Sequence, residues 1–178
     1  EMVINCGKYL AGIFCILGGI MASFFMSKSN TEYGKLITNY GFAQGDCGRA
    51  IQNFCLVDEY IHDYVSYYDE ERREYCRSQL KMYEGYFNES FALVKDTLQS
   101  EEELALYEEA VVAFENYMVV AEDIMAERDQ RGSSPEVIAE LQGRFIDELD
   151  VEYDKIDVAL NAIMELKVEA GDAGHAAM

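Results

Sequence analysis

The sequence predicts an all-α protein, an antiparallel up-down four-helix bundle whose first helix continues an N-terminal transmembrane helix. Three observations predict it. One proline and no tryptophan in 178 residues fit a helical chain. From Ile37 onward, apolar residues recur at spacings of three and four, the period of an amphipathic helix. Residues 9–27, YLAGIFCILGGIMASFFMS, carry no charge.

The uncharged stretch comes first. Lys8 and Lys28 flank it, and as a helix it is close to the ~30 Å needed to cross a bilayer. A secretory signal would need an A-x-A cleavage site, which is not evident, and a buried core helix would show a polar face. The division is therefore a transmembrane helix over residues 1–27 and a helical domain over residues 28–178. Gly7, Ala11, Cys15, Gly19, Ser23 and Ser27 form a small-residue stripe along one face of the span. Such stripes let helix backbones approach closely in lipid, although membrane helices are rich in small residues anyway.

The bundle helices follow in order. In the first, Ile37, Tyr40, Gln44, Cys47, Ile51, Phe54, Asp58, Ile61, Val65 and Tyr68 form a heptad seam with two polar interruptions. No turn signal separates it from the span, so one helix is expected to run about 60 Å beyond the bilayer. Gln44 and Asp58 either fix register or line an internal pocket. YYDEERR (67–73) is the first turn. The second helix presents Leu80, Tyr83, Phe87, Phe91, Val94 and Leu98. Ser100 and Glu103 make a capping box that starts the third, which presents Leu104, Tyr107, Val111, Phe114, Met118, Ala121 and Met125. Gly132 stops it. Ser134 caps the fourth helix with Pro135 at its first position. That helix carries Ile146, Leu149, Tyr153, Ile156, Leu160 and Ile163. Short connections then make neighbours antiparallel. The fourth helix returns to the membrane, where a second span is expected beyond Met178.

Gly34, Gly41 and Gly48 lie seven residues apart, next to the seam but off it, and Gly45 pairs with Gly41 at four. Each costs a helix about 1 kcal/mol relative to alanine. A second copy packing along the first helix explains them, as a symmetric homodimer; the alternative is a tolerated kink or bulge.

The formal charge is −20, from 34 acidic and 14 basic residues, which argues against a nucleic-acid partner. Cys6, Cys15, Cys47, Cys55 and Cys76 are odd in number and contain no CxxC, so they read as packing residues. Cys47 would cross-link a dimer if it faced the dimer axis. Glu59 and His62 form E-x-x-H, the spacing of di-iron bundles, but one copy with His175 as the only other histidine completes no metal site. No phosphate loop or Ser/His/Asp arrangement is evident, so neither an enzyme nor a cofactor is expected.

Arginines concentrate near the two membrane-distal turns. Arg72, Arg73, Arg77, Arg128 and Arg144 are the candidates for a pocket, with Tyr64 and Tyr68 beside them. The planar guanidinium suits carboxylates, which points to a small anionic or zwitterionic ligand. Alternatively Glu70, Glu71, Glu74, Glu127 and Asp129 pair with these arginines on a solvated surface.

The pattern of NYGFAQGDCGRAIQNF, LQSEEELALYEEAVVAFENYMVVAEDIMA and LDVEYDKIDVALNAIMELKVEAGD resembles the extracytoplasmic sensor of bacterial methyl-accepting chemotaxis proteins of the four-helix-bundle subclass. The resemblance implies a homodimeric receptor in the cell membrane. Its ligand-sensing domain, residues 28–178, would lie outside the cytoplasm and bind a small molecule or a periplasmic binding protein. A piston-like shift of the last helix would carry the signal to a cytoplasmic histidine kinase. It also implies a pocket toward the distal end. The family's arginine-based amino-acid pocket uses first-helix positions this chain does not match, where only Arg49 is basic. Related bundles occur on sensor kinases and cyclases. A dimerisation stalk without a ligand is a further alternative; it should have a dry apolar interior throughout, whereas a sensor should show a polar-lined cavity distally.

Overall fold

A computed structural model describes residues 18–31, 34–35 and 37–176, and all of its regular structure among them is helical. Helix α1 covers residues 18–31. A π-helical turn, Ile37–Gly41, leads into α2 (Phe42–Ser66). Helices α3 (Glu70–Lys95) and α4 (Glu101–Arg131) follow. Then α5 (Pro135–Arg144) joins α6 (Asp150–Ala176) through a second π-helical turn, Phe145–Leu149.

The boundaries follow the local chemistry. Helix α2 ends at Tyr67, which turns to an extended conformation while its N–H still bonds to Asp63 O. Asp69 caps α3 by accepting the Arg72 N–H at 3.0 Å, and Glu70 and Glu71 oppose the positive end of the helix dipole. At α4 the Ser100 hydroxyl accepts the Glu103 N–H at 3.1 Å, and the Glu103 carboxylate accepts the Ser100 N–H at 3.0 Å. Gly132 ends α4 at φ +83°, ψ −162°, a region essentially confined to glycine. Ser134 caps α5, and Pro135 occupies a first-turn position where no N–H is missed.

Helix α2 packs closely along α3, α4 along α6, and α2 crosses to α6. The core is aromatic. Phe54 on α2 meets Phe87 of α3 (centroids 5.7 Å apart), Phe114 (6.0 Å) and Tyr117 (5.1 Å) of α4, and Tyr153 (4.9 Å) of α6. Such ring pairs contribute about 0.5–1.5 kcal/mol each beyond area burial. Ile61, Ile124, Leu141, Leu149, Ile156, Leu160 and Ile163 complete the buried layers.

Several seam positions differ from expectation. Ile146 is 70% exposed, whereas Phe145 is 2% exposed. The π-helical turn inserts one residue into the 3.6-residue period, so the inward face runs Leu141, Phe145, Leu149. Ile37 lies in the other π-helical turn and is exposed. Tyr68 stands past the end of α2 and is exposed. Leu104 gives its inward place to Glu103, which the capping box turns into the bundle.

No helix among the described residues is long and apolar enough to cross a membrane. The predicted span lies largely on residues 1–17, outside the described residues, and its continuity with the first bundle helix crosses residues 32, 33 and 36, also outside them.

Candidate ligand site

The turn between α2 and α3 and the end of α4 bring three of the predicted residues together. Tyr64, buried on α2, donates its hydroxyl to Asp129 Oδ1 at 2.6 Å. Arg73 and Arg77, one turn apart on α3, reach the same carboxylate at 2.9 and 2.8 Å. Arg77 also donates to the Tyr64 hydroxyl, and its guanidinium lies 4.9 Å from that ring's centroid. Burial, and then the bond to Asp129, push the Tyr64 hydroxyl above its usual pKa, so it stays a donor at neutral pH.

Arg128 faces inward. It is fully buried, and its N–H groups reach Val65 O (2.9 Å), Tyr67 O (2.9 Å), Gly132 O (2.5 Å) and Ser133 Oγ (3.0 Å). Those carbonyls belong to the ends of α2 and α4, which Arg128 ties together. Burial lowers its pKa, but a guanidinium remains charged there. Arg144 stands apart, 2.9 Å from Asp123, 2.9 Å from Glu127 and 2.7 Å from Glu148. Arg131 joins Glu127 to Glu140. Arg72 lies over the Tyr67 ring at 5.4 Å, and Tyr68 projects to solvent. Arg73, Arg77, Arg128 and Arg144 thus spend donors on the chain's own acceptors, Glu127 and Asp129 among them.

A groove opens beside this cluster, between α3 and α4. These two helices touch through rings: Phe87 on Phe114 (4.2 Å) and Phe91 on Tyr107 (4.3 Å). Along that contact and beyond it the surface is concave. One concavity, about 550 Å³, has Phe91, Tyr107, Phe114 and Met118 in its wall and Glu84, Glu115 and Glu122 among its polar residues. The next, about 490 Å³, runs past Leu80, Met118 and Met125 to Arg77 and Asp129. Glu84, Met118 and Glu122 line both, so they form one groove. Each volume suits a small organic ligand. Glu84, half-buried on α3, and Glu122, exposed on α4, line the groove from its two helices.

The predicted dimer glycines, Gly34, Gly41, Gly45 and Gly48, are all exposed, and a Cβ at any of them would meet nothing within 4 Å. The bundle itself does not require glycine there. Gly171 differs, since a Cβ on it would come 3.3 Å from Tyr40 Cβ, where α6 crosses the start of α2.

Cys47 is fully buried, so the condition for a Cys47 cross-link is not met in this arrangement, and burial pushes its thiol up to about 11. Cys55 is the exposed cysteine of α2. Of the E-x-x-H pair, His62 lies 3.5 Å from Asp58 and packs on Phe145 at 4.1 Å. Its neighbour Asp58 also accepts the Tyr117 hydroxyl at 2.8 Å, so this polar interruption of the seam is a hydrogen-bonded layer in the core.

Two features escaped the sequence reading. Lys167 continues the spacing Ile156, Leu160, Ile163 and could have been read from it. It is fully buried against Glu103. The carboxylates of the groove carry no signal distinguishing them from a solvated face.

Compared with known protein families, curated proteins and solved structures, the chain matches none.

Proposed function

We propose that the chain is the extracytoplasmic sensory module of a transmembrane chemotaxis receptor in the cell membrane. It binds a small molecule directly and passes a conformational signal to a cytoplasmic domain; capture of a periplasmic binding protein is the indirect form of the same role. The observation that carries the reading is the groove between α3 and α4, a ligand-sized concavity with an aromatic wall. The pairings Phe54–Phe87, Tyr60–Tyr83 and Tyr64–Arg77 fit an antiparallel α2–α3 hairpin, in which one partner's number falls as the other's rises. They support the up-down four-helix arrangement. The exposed glycine face of α2 supports a homodimer along it.

The same bundle on a sensor kinase or cyclase would work in the same way. A dimerisation stalk would have no use for an aromatic groove edged by carboxylates, and the groove favours a sensor over it. A thermal-shift screen of the chain against amino acids, organic acids and small amines tests the reading. A ligand that binds only the folded state must raise the unfolding midpoint by mass action. A reproducible rise supports a direct sensor; a flat response across the whole screen contradicts one.

A further inference from the structure

We propose that the α3–α4 groove binds a small organic cation with an apolar body, an aralkylamine in chemical class. The proposal rests on the sensory reading above, whose ligand it names. Three observations carry it. First, the upper part of the groove has three carboxylates, Glu84, Glu115 and Glu122, and no basic residue among its lining. Second, these carboxylates make no ion pair or hydrogen bond among the described residues, whereas Glu127 and Asp129 are each held by arginines. Third, the wall below them is apolar and aromatic, with Phe114 and Met118 at its centre.

Each observation selects a property of the ligand. Unpaired carboxylates beside a low-dielectric wall favour a cation and oppose an anion by like-charge repulsion. The apolar wall stabilises a hydrocarbon or aromatic body, and ring faces attract cations as well. The chain shows that attraction itself, with Lys95 Nζ 5.8 Å from the Tyr107 ring centroid. Lys95 occupies that end, and Lys81 and Arg77 occupy the other. The stretch between them, from Glu84 to Glu115 and Glu122, is where an ammonium would sit. A carboxylate ligand at Arg73, Arg77 or Arg144 would instead have to displace Asp129, Glu127 or Glu148.

Isothermal titration calorimetry of the 178-residue chain in mild detergent tests this with three matched probes. Phenethylamine is the cation, phenethyl alcohol the neutral analogue and phenylacetate the anion. The expected result is phenethylamine binding at least about tenfold tighter than either analogue, weakening as salt is raised. The double substitution Glu115→Gln/Glu122→Gln, on exposed side chains, should lose about tenfold in affinity for the amine with an unchanged unfolding midpoint. Met118→Trp should fill the groove and abolish the heat of binding. Equal binding of the three probes, amine binding untouched by the double substitution, or no binding of the amine would each overturn the proposal. Amine binding without any signalling output would leave the site standing and remove the sensory role. Signalling driven by some other ligand, with no amine binding, would do the reverse.

Discussion

Lys167 of α6 is fully buried, and its ammonium lies 2.9 Å from the carboxylate of Glu103 at the start of α4. The same ammonium donates to Thr97 O, and the same carboxylate accepts the N–H groups of Gln99 and Ser100. Three segments meet at this pair: the end of α3, the α4 N-terminus and α6. Lys167→Ala leaves Glu103 as a buried charge without its partner and should cost about 3–5 kcal/mol. Pairing Lys167→Met with Glu103→Gln should restore part of that. Chemical denaturation of the wild type, Lys167→Ala and the double variant measures both effects; a cost below 1 kcal/mol for Lys167→Ala would show that the pair behaves as a surface contact.

The pair also sets an acid limit. Burial alone would raise the Glu103 pKa, but the N–H of Gln99, Lys167 and the N–H of Ser100 outweigh it and hold the carboxyl below its ordinary value. The stability it contributes is therefore present above the unfolded-state pKa of about 4.3 and is lost as pH falls through the folded value. Glu103→Gln should flatten the decline of the unfolding midpoint below about pH 4. An identical acid limb in wild type and variant would place the acid sensitivity elsewhere.

His62 acts with the opposite sign. Its bond to Asp58 raises the imidazole above its usual pKa against the effect of partial burial, with Asp150 and Asp63 adding to the rise. The contribution is fully present below the unfolded value of about 6.5 and is lost as pH rises through the folded value. An NMR titration should find His62 above 6.5, and Asp58→Asn should bring it down. A value at or below 6.5 in the wild type would refute the pairing.

Arg128 and Gly132 form one structural device, since the guanidinium closes on the carbonyl of a residue whose φ of +83° only glycine accepts freely. Arg128→Ala should lower stability without any ligand, because three backbone carbonyls lose their donor. Gly132→Ala should cost about 1–3 kcal/mol through backbone strain. Arg72→Ala, at an exposed side chain stacked on Tyr67, should leave the unfolding midpoint nearly unchanged. Equal midpoint shifts for Arg128→Ala and Arg72→Ala would remove the structural role assigned to Arg128.

Under the proposed homodimer, substitutions on the glycine face separate assembly from folding. A Cβ added at Gly45 or Gly48 meets no neighbouring atom within 4 Å, so the monomer should tolerate Gly45→Leu and Gly48→Leu. A dimer packed on that face should not. Sedimentation should show loss of the dimer with an unchanged helical signal; an intact dimer would place the interface elsewhere.

Helix limits were legible where side chains act on their own backbone. Ser100 with Glu103, Ser134 with Pro135, and Gly132 all stand where their chemistry places them. The seam was legible wherever the period held, as at Phe54, Ile61, Ile156 and Leu160. It failed at Ile146 because a π-helical turn leaves no mark in a pattern counted at 3.6 residues. The arginine cluster was visible in sequence. That Asp129 would take up Tyr64, Arg73 and Arg77 was not, because those contacts join residues more than 50 apart. The groove was hidden for the same reason, since it depends on how closely α3 and α4 approach.

The most direct test of a ligand-driven sensor is the output of a receptor in which this chain is joined, through a second span, to a cytoplasmic domain that controls a histidine kinase. Kinase activity is measured in membranes as phenethylamine is titrated. The predicted result is a graded change in activity in the wild type and none in Met118→Trp, at equal expression and equal unfolding midpoint. Kinase activity that stays constant while the amine demonstrably occupies the groove would contradict the account.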